Sequence, residues 1–491
     1  MLRARELEQE GTFDVHATRI RPSVDVSADG VGVVSHVGAR LLADVADATT
    51  LTAQLSAVFA GRTAPQTAHD PGRVLVDVAV MLADGGETIS DIATLADQVA
   101  VFGPVASDST CWRVLDSIRG VDLDAIAAAR AAARAVAWAQ RAEQTGAPLP
   151  ASLVAGAPLL DAQGRPVLVI DDDATIVVTH SEKERAAATF KHSYGYHPVL
   201  AFCDNTNEAL AGMLRPGNAG SNTAADHISL LDAAMAQIPD EDRHGYPILV
   251  RADGAGASKA FLAHIRALRN SGVASEFSIG WAVTDREHAA IAALPACAWT
   301  PAVDIAGDPR ESASVAELTG ALPAAMFADY PPGTRIIVRR ERPHPGAQLD
   351  LIEHRDGWRY TCFATDTTTG QHAWLDARHR SHARVEDRIR CGKDTGLGRM
   401  PSQQFAINQA WLACALTAID LLAWTQTILL HDDRSLSHAE PKALRYRLLH
   451  TAARLVRGGR KLRLKIDRTW RWARVLAQAF HRLRALPVPA T

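Results

Sequence analysis

One stretch constrains this chain more than any other: PVLVIDDDAT, residues 166–175, an apolar run of mostly β-branched residues that ends in three aspartates. Four consecutive apolar residues, Val167 through Ile170, predict a strand buried on both faces. Asp171, Asp172 and Asp173 then stand at its carboxyl end. Taking an unpaired carboxylate out of water is costly, so a core strand that finishes in acids needs a cation beside it. A metal ion is the natural candidate. The plain alternative is a turn cap with the other acids facing solvent, and other acids elsewhere in the chain decide between them.

A second strand of the same character follows. PILVRADGAG, residues 247–256, also ends in an aspartate, Asp253, and the glycines after it let the backbone turn sharply and approach a ligand. Open α/β sheets place their sites at the carboxyl ends of their strands. If the two strands are neighbours, Asp253 faces Asp173 or Asp171 at close range. Such carboxylates repel unless divalent cations neutralise them. Oxygen-only ligands select magnesium or manganese over zinc. A third acid, Glu386, lies in the densely charged helical stretch ARVEDRIR and is placed against the two aspartates; three carboxylates from three elements can hold two metal ions for in-line phosphoryl displacement.

The rest of the chain fits around these strands. With 491 residues, 47% of them hydrophobic and 22% charged, it has material for several packed units and no bias toward disorder. We divide it into a mainly helical DNA-binding region (1–165), the first part of an α/β core (166–283), a β-rich insertion (284–370) whose strand patterns are TRIIVRRER, AQLDLIEHR and WRYTCFATD, the core's C-terminal helices (371–430), and a basic segment (431–491). The two apolar runs around residues 204–207 predict a β-hairpin. Between Arg434 and Arg484 there are fifteen Lys or Arg against Glu440 and Asp467 alone, the footprint of a phosphate-binding surface in a chain of net charge −3; the plain alternative is a solvated amphipathic helix. In the helical region, the short helices are compatible with a helix-turn-helix, in which Ser109, Thr110, Trp112 and Arg113 are exposed near the start of a recognition helix and Arg113 is the candidate DNA contact; the plain alternative is a helical bundle packing on the next domain. The six cysteines show no paired spacing, which argues against a zinc site of thiolates and a disulfide framework. The start, MLRARELEQEG, has no apolar core of a signal peptide, and no uninterrupted apolar run reaches the length of a membrane span, so a cytoplasmic location with no membrane partner is expected.

The order Asp, Asp, Glu on strand, strand and helix, with a β insertion before the Glu, resembles the RNase H-like DDE transposases of bacterial insertion sequences. GVGVVSHVGARLL, DDDATIVVTHSEKE, FKHSYGYHPVLAF and ARVEDRIR resemble the insertion sequence 1380 family over nearly the whole chain. In the wider group the third acid lies in a pattern of Tyr, two residues, Arg, three residues, Glu, six residues, Lys. This chain keeps Glu386 and Lys393 at that spacing and departs at His379 and His382, with Arg380 and Arg384 close by as alternative basic groups.

The resemblance implies Asp173, Asp253 and Glu386 as ligands of two magnesium or manganese ions. It prefers Asp173 because the family's first acid directly precedes a small residue and Thr, here Ala174 and Thr175. The residues alone leave Asp171 open, since positions two apart on a strand share a face. Lys393, Arg380, Arg384 and His382 become candidate DNA contacts, and Trp299 a candidate stacking platform for a flipped base; His180, Glu182 and Lys183 form a loop able to reach DNA. The implied activity is hydrolysis at the transposon ends, bound through their terminal inverted repeats, and joining of the freed 3′ hydroxyl to target DNA. The implied assembly is a homodimer on double-stranded DNA. A catalytically silent DNA-binding relative and an RNase H-like nuclease without transposition are the competing readings.

Overall fold

A computed structural model describes residues 26–62, 68–220, 223–459 and 461–487 of the chain; the amino-terminal stretch read above lies outside these described residues. The chain begins with helices α1 (Ala39–Ala48), α2 (Leu51–Val58), α3 (Pro71–Asp84), α4 (Asp108–Ser117) and α5 (Gly120–Thr145). Helix α3 starts where Asp70 accepts a hydrogen bond from the Arg73 amide and Pro71 fills the first turn, and it ends at Gly85 in the left-handed region. Almost every residue of α3 is buried, because it runs through the middle of the molecule instead of along its surface.

Strands β1 (Leu168–Ala174), β2 (Val199–Cys203) and β3 (Ala209–Met213) follow, then helix α6 (Ala224–Ala236), strand β4 (Ile248–Ala252), helix α7 (Lys259–Ala267) and strand β5 (Ser275–Trp281). The expected hairpin is β2–β3, turning at residues 204–207. Four further strands come next: β6 (Thr300–Val303), β7 (Pro309–Glu317), β8 (Arg335–Glu341) and β9 (Arg359–Thr365). Together they form a nine-stranded sheet among the described residues, in the order β6-β7-β8-β9-β5-β4-β1-β2-β3. Strands β1, β4 and β5 are mutually parallel neighbours, and the pairings on either side of them are antiparallel. The strands read as an insertion therefore extend the central sheet.

Two readings inside this region need correction. AQLDLIEHR is not a strand: Leu351–Asp356 is a helix, set by Asp350 and Glu353 as a capping box and stopped by left-handed Gly357. The local apolar alternation was overridden by those caps. Likewise a helix, Asp285–Ala293, follows β5 where no helix was expected, again with a capping box, Thr284 and Glu287.

Both faces of the sheet are covered. Leu168, Ile170, Val250 and Phe277 pack with Leu230, Leu231 and Phe261 of α6 and α7. On the other face Val169 and Leu249 meet Trp374 and Ala377 of α8 (His372–Arg380). A 3₁₀ turn, Ser381–Ala383, joins α8 to α9 (Arg384–Gly392), and α10 (Phe405–Trp424) follows. The helical stretch Phe405–Leu429 is long and apolar enough to cross a membrane, but 83% of its most apolar window is buried inside the fold. Its Trp411, Leu412 and Ala415 share one core with Val78, Leu82 and Ala83 of α3, so the N-terminal helices and the sheet domain are packed as one body.

The basic C-terminal stretch folds as a hairpin, β10 (Ala453–Gly458) with β11 (Lys461–Ile466), whose first strand pairs with the short strand Val33–Val34. Helix α11 (Ala473–Ala485) follows. The six cysteines are free thiols, four of them buried.

Candidate active site

Strand alternation sorts the three aspartates of β1. In the parallel register Asp171 stands beside Arg251 and Asp172 beside Ala252, so Asp171, Asp173 and Arg251 share one face and Asp172 points to the other. There Asp172 lies 2.7 Å from His227 Nδ1 of α6, buried among helices.

Asp171 is fully spent. Arg251 donates Nε to Oδ1 at 2.7 Å and Nη2 to Oδ2 at 2.8 Å, His382 Nδ1 sits 3.0 Å from Oδ1, and Arg388 Nη1 lies 3.3 Å from Oδ2. Burial would raise its pKa, but Arg251 and His382 outweigh it and the carboxyl is held below its ordinary range. Asp204, in the β2–β3 turn, belongs to the same cluster: Arg251 Nη2 is 3.1 Å away, and Arg384 and Arg388 both donate to it. Burial opposes its ionisation as well, and Arg388, Arg384 and Arg251 together hold its pKa low.

Asp173 is the reverse case. Burial pushes its pKa up to about 7; His382 opposes this, and the charges of Asp253 and Asp172 add to it. The Ala174 amide donates to Oδ1 at 2.7 Å. Asp253 immediately follows β4, one step beyond the Ala252–Asp172 pair, which brings it alongside Asp173. It is exposed and followed by the 3₁₀ turn Gly254–Gly256. That turn presses on β5 at Gly280, where a Cβ would lie 2.6 Å from the Gly254 nitrogen and 2.8 Å from the Asp253 carbonyl carbon. No side chain larger than hydrogen fits there without moving the Asp253 backbone.

Helix α9 lies across this end of the sheet, with Val385, Ile389 and Gly392 buried. Arg384 and Arg388 form one flank, toward Asp204 and Asp171. Spacings of four and seven residues put Glu386 on the other flank, with His382 before it and Lys393 after it. Both of those neighbours feel Asp173: its charge acts on His382 and on Lys393. Lys393 Nζ also donates to the Ile176 carbonyl at 3.0 Å, just past Asp173. Glu386 itself is exposed.

The structure gives the remaining candidate residues particular surroundings. His379 is half-buried and stacked on Phe363, ring centroids 4.5 Å apart and 8° from parallel, with Nδ1 3.1 Å from Ser278 Oγ; desolvation, helped by the neighbouring cations, pushes its pKa down to about 3. It fills an aromatic position as a neutral ring. His382 is half-buried on Asp171, whose hydrogen bond and charge outweigh burial and raise its pKa. Its ring is turned toward Asp171, and Arg384 bonds to Asp204 and the Leu153 carbonyl. Arg380 is half-exposed, 3.6 Å from Glu341. The Trp299 ring is covered on one side by the Arg340 guanidinium, 4.0 Å from its centroid. Arg113 is exposed on α4, bonded to Ser109 and Thr110 of its own helix. Beside it Ser109 and Trp112 line a cleft of about 760 Å³ shared with His180, Lys183 and Arg399.

Sequence reasoning missed the partners of Asp171. Arg251 was the available signal: an arginine in the middle of a buried strand demands a counter-charge, and it precedes Asp253 by two residues as Asp171 precedes Asp173.

A buried cluster of acids and arginines thus lies beside a second pair of acids, Asp173 and Asp253, at the strand ends. The chain belongs to the transposase DDE domain group 1 family, whose model matches residues 16–488; it is a DDE-type transposase. Among solved structures it is similar to a piggyBac transposase synaptic complex with hairpin DNA, at 9% identity and a TM-score of 0.40, covering 84% of this chain and 80% of that one. A comparison with curated proteins gave no match.

Proposed function

We propose that this transposase binds terminal inverted repeats, cleaves the transposon ends and joins the 3′ hydroxyl to target DNA at a site made of Asp173, Asp253 and Glu386. The observation that carries this reading is the state of Asp173: burial and the neighbouring charge of Asp253 push its pKa up to about 7, whereas Arg251 pairs with both oxygens of Asp171 two residues earlier. That contrast also favours Asp173 over Asp171 as the first ligand. A core of order β3-β2-β1-β4-β5, with acids at the ends of β1 and β4, supports an RNase H-like reading of the sheet; the placement within the insertion sequence 1380 family rests on the sequence resemblance alone.

The donor set fits magnesium or manganese, since it offers carboxylate oxygens alone. Two such ions would lower the pKa of the attacking water or hydroxyl and stabilise the leaving oxygen. The chain's own groups do the positioning. Arg251 ties β4 to β1 through Asp171 and so fixes the separation of the two aspartates; His382 and Arg388 hold α9 against the same carboxylate, which sets where Glu386 stands. Without a divalent cation, Asp173 holds a proton near neutrality. Lys393 at the cleft, Arg113 and the groove beside α4, and the basic β10–β11 hairpin are the surfaces offered to DNA phosphates, with a homodimer as the working synapse in the bacterial cytoplasm.

The test is cleavage of a labelled duplex carrying the element's terminal repeat in magnesium, comparing wild type with Asp173→Asn, Asp253→Asn and Glu386→Gln. Loss of cutting in all three with end binding retained is the expected result. If wild type binds the end but never cuts with any divalent metal, the chain is a silent DNA-binding relative. Cutting without strand transfer would make it a nuclease, and cutting by Asp173→Asn would return the first ligand to Asp171.

A further inference from the structure

A second group of metal-ligating side chains lies away from the carboxylate cleft, where three distant parts of the chain meet. His36 follows the strand Val33–Val34, Asp84 is the last residue of α3, and His450 stands in the turn before β10. His36 Nδ1 is 2.5 Å from Asp84 Oδ2; His450 Nε2 is 3.3 Å from Asp84 Oδ1 and 2.8 Å from the Asp84 carbonyl oxygen. One ligand atom from each residue lies within 4.8 Å of the other two. The imidazoles face each other with centroids 4.2 Å apart, at 38°.

Three observations separate this group from an ordinary surface ion pair. The Asp84 side chain is only 3% exposed, yet its Oδ1 has no hydrogen-bond partner: the oxygen is buried and aimed at the His450 ring without the geometry of a bond. Such an orphan costs free energy unless something fills the gap. His36 sits at φ 53°, a left-handed conformation that a non-glycine residue rarely adopts and that points to a constrained role. Arg445, whose charge reaches Asp84, donates to the carbonyls of Leu82, Ala83 and Asp394 and not to this carboxylate.

We propose that His36, Asp84 and His450 bind one divalent transition-metal ion, zinc in the first instance, that clasps the N-terminal strand and the C-terminal hairpin to the end of α3. Two imidazole nitrogens and a carboxylate oxygen suit zinc far better than magnesium. Zinc at about 2.0–2.1 Å from each ligand spaces tetrahedral ligand atoms about 3.3 Å apart, so the observed atoms need shifts of only about 1 Å. With His36 24% and His450 40% exposed, the fourth position opens to solvent. The clasp would close the chain between residues near its two ends, where a crosslink restrains the unfolded state most. It would also brace the root of the basic hairpin. The proposal does not depend on the identity of the catalytic acids.

The test uses the full chain, freed of any histidine tag, stripped with chelator and titrated with zinc against a chromophoric indicator in saturating magnesium. The expected result is one equivalent bound by wild type and by Asp173→Asn, with affinity at least about tenfold weaker in His36→Ala and His450→Ala. Zinc should raise the melting temperature of wild type and not of His450→Ala, and cobalt should give a visible ligand-field band that His450→Ala loses. Because His450 is partly exposed, that variant decides the matter even if His36→Ala does not fold. Absence of stoichiometric zinc in wild type, or equal binding by wild type and His450→Ala, overturns the proposal and leaves a hydrogen-bonded clasp.

Discussion

Two groups of acids in this molecule are treated in opposite ways. Under α5 and α10, Asp420 Oδ2 takes Arg130 Nη2 and Arg134 Nη2 at 2.7 Å each, while its Oδ1 takes the Ala209 amide at 3.1 Å. Glu208 beside it takes Arg134 Nε at 2.8 Å, Trp138 Nε1 at 2.8 Å, Trp424 Nε1 and Thr206. Two acids meet two arginines, and both oxygens of each acid accept hydrogen bonds. At the ends of β1 and β4, in contrast, Asp173 and Asp253 face one another and burial holds Asp173 near neutrality of pH. Asp420 and Glu208 come with arginines bonded to them; Asp173 has acidic neighbours instead, opposed by His382. Asp171 stands between the two sets, on the strand of the second and with the saturated partners of the first.

The largest test of that division is functional. Asp173→Asn, Asp253→Asn and Glu386→Gln should each lower single-turnover cleavage at least about 10³-fold, roughly 4 kcal/mol of transition-state stabilisation, while Asp173→Asn keeps or raises thermal stability by removing an under-compensated charge. A cutting-competent Asp173→Asn, or one that unfolds, breaks the comparison. Next comes Asp420→Ala, which strands Arg130 and Arg134 in the interior and should cost about 3–5 kcal/mol in denaturant unfolding. A loss under 1 kcal/mol would show that water already satisfies those arginines.

Smaller still is the effect of Gly280→Ala. Its new Cβ must displace the Asp253–Gly254 backbone, and a shift of about 1 Å at a metal ligand is enough for a loss on the order of 10²-fold. The readout that separates positioning from general damage is the magnesium concentration needed for half-maximal cleavage, which should rise more than the melting temperature falls. Unchanged magnesium dependence would mean that the Asp253 turn is set by something other than its contact with β5.

How much of this was legible beforehand follows from which interactions are local. The β1 and β4 strands, their terminal acids and the β2–β3 hairpin all rest on short-range pattern and turn chemistry, and those were readable. The helix Leu351–Asp356 is marked in the sequence by Asp350 and Glu353, but the apolar alternation around them imitates a strand. What no local pattern carries is pairing across the chain. Arg251 with Asp171 spans two strands, Arg384 with Asp204 joins a helix to a turn, and His36 with His450 brings together residues from near the two ends. Composition marked 431–491 as basic but could not say that the charge would sit on a hairpin braced by Val33–Val34.

The smallest effect isolates the proton. Asp173 has a folded pKa raised to about 7 from an ordinary value of 3.8, so the folded chain binds more protons than the unfolded one between those limits. The contribution is present below about pH 4 and lost as pH rises to 7, making the metal-free protein less stable at the top of that window. A divalent ion reverses the loss by neutralising the carboxylate. Because the ion must displace the proton, its apparent affinity should weaken about tenfold for each pH unit below 7, about 1.4 kcal/mol per unit. Calorimetric magnesium or manganese titrations at pH 5.5, 6.5 and 7.5 should show that slope in wild type and a flat profile in Asp173→Asn. Asp171→Asn would not flatten it, since that carboxyl is held below its ordinary range and already titrates below the window; a slope that survives Asp173→Asn would sever the link between the burial of Asp173 and the proton that the ion displaces.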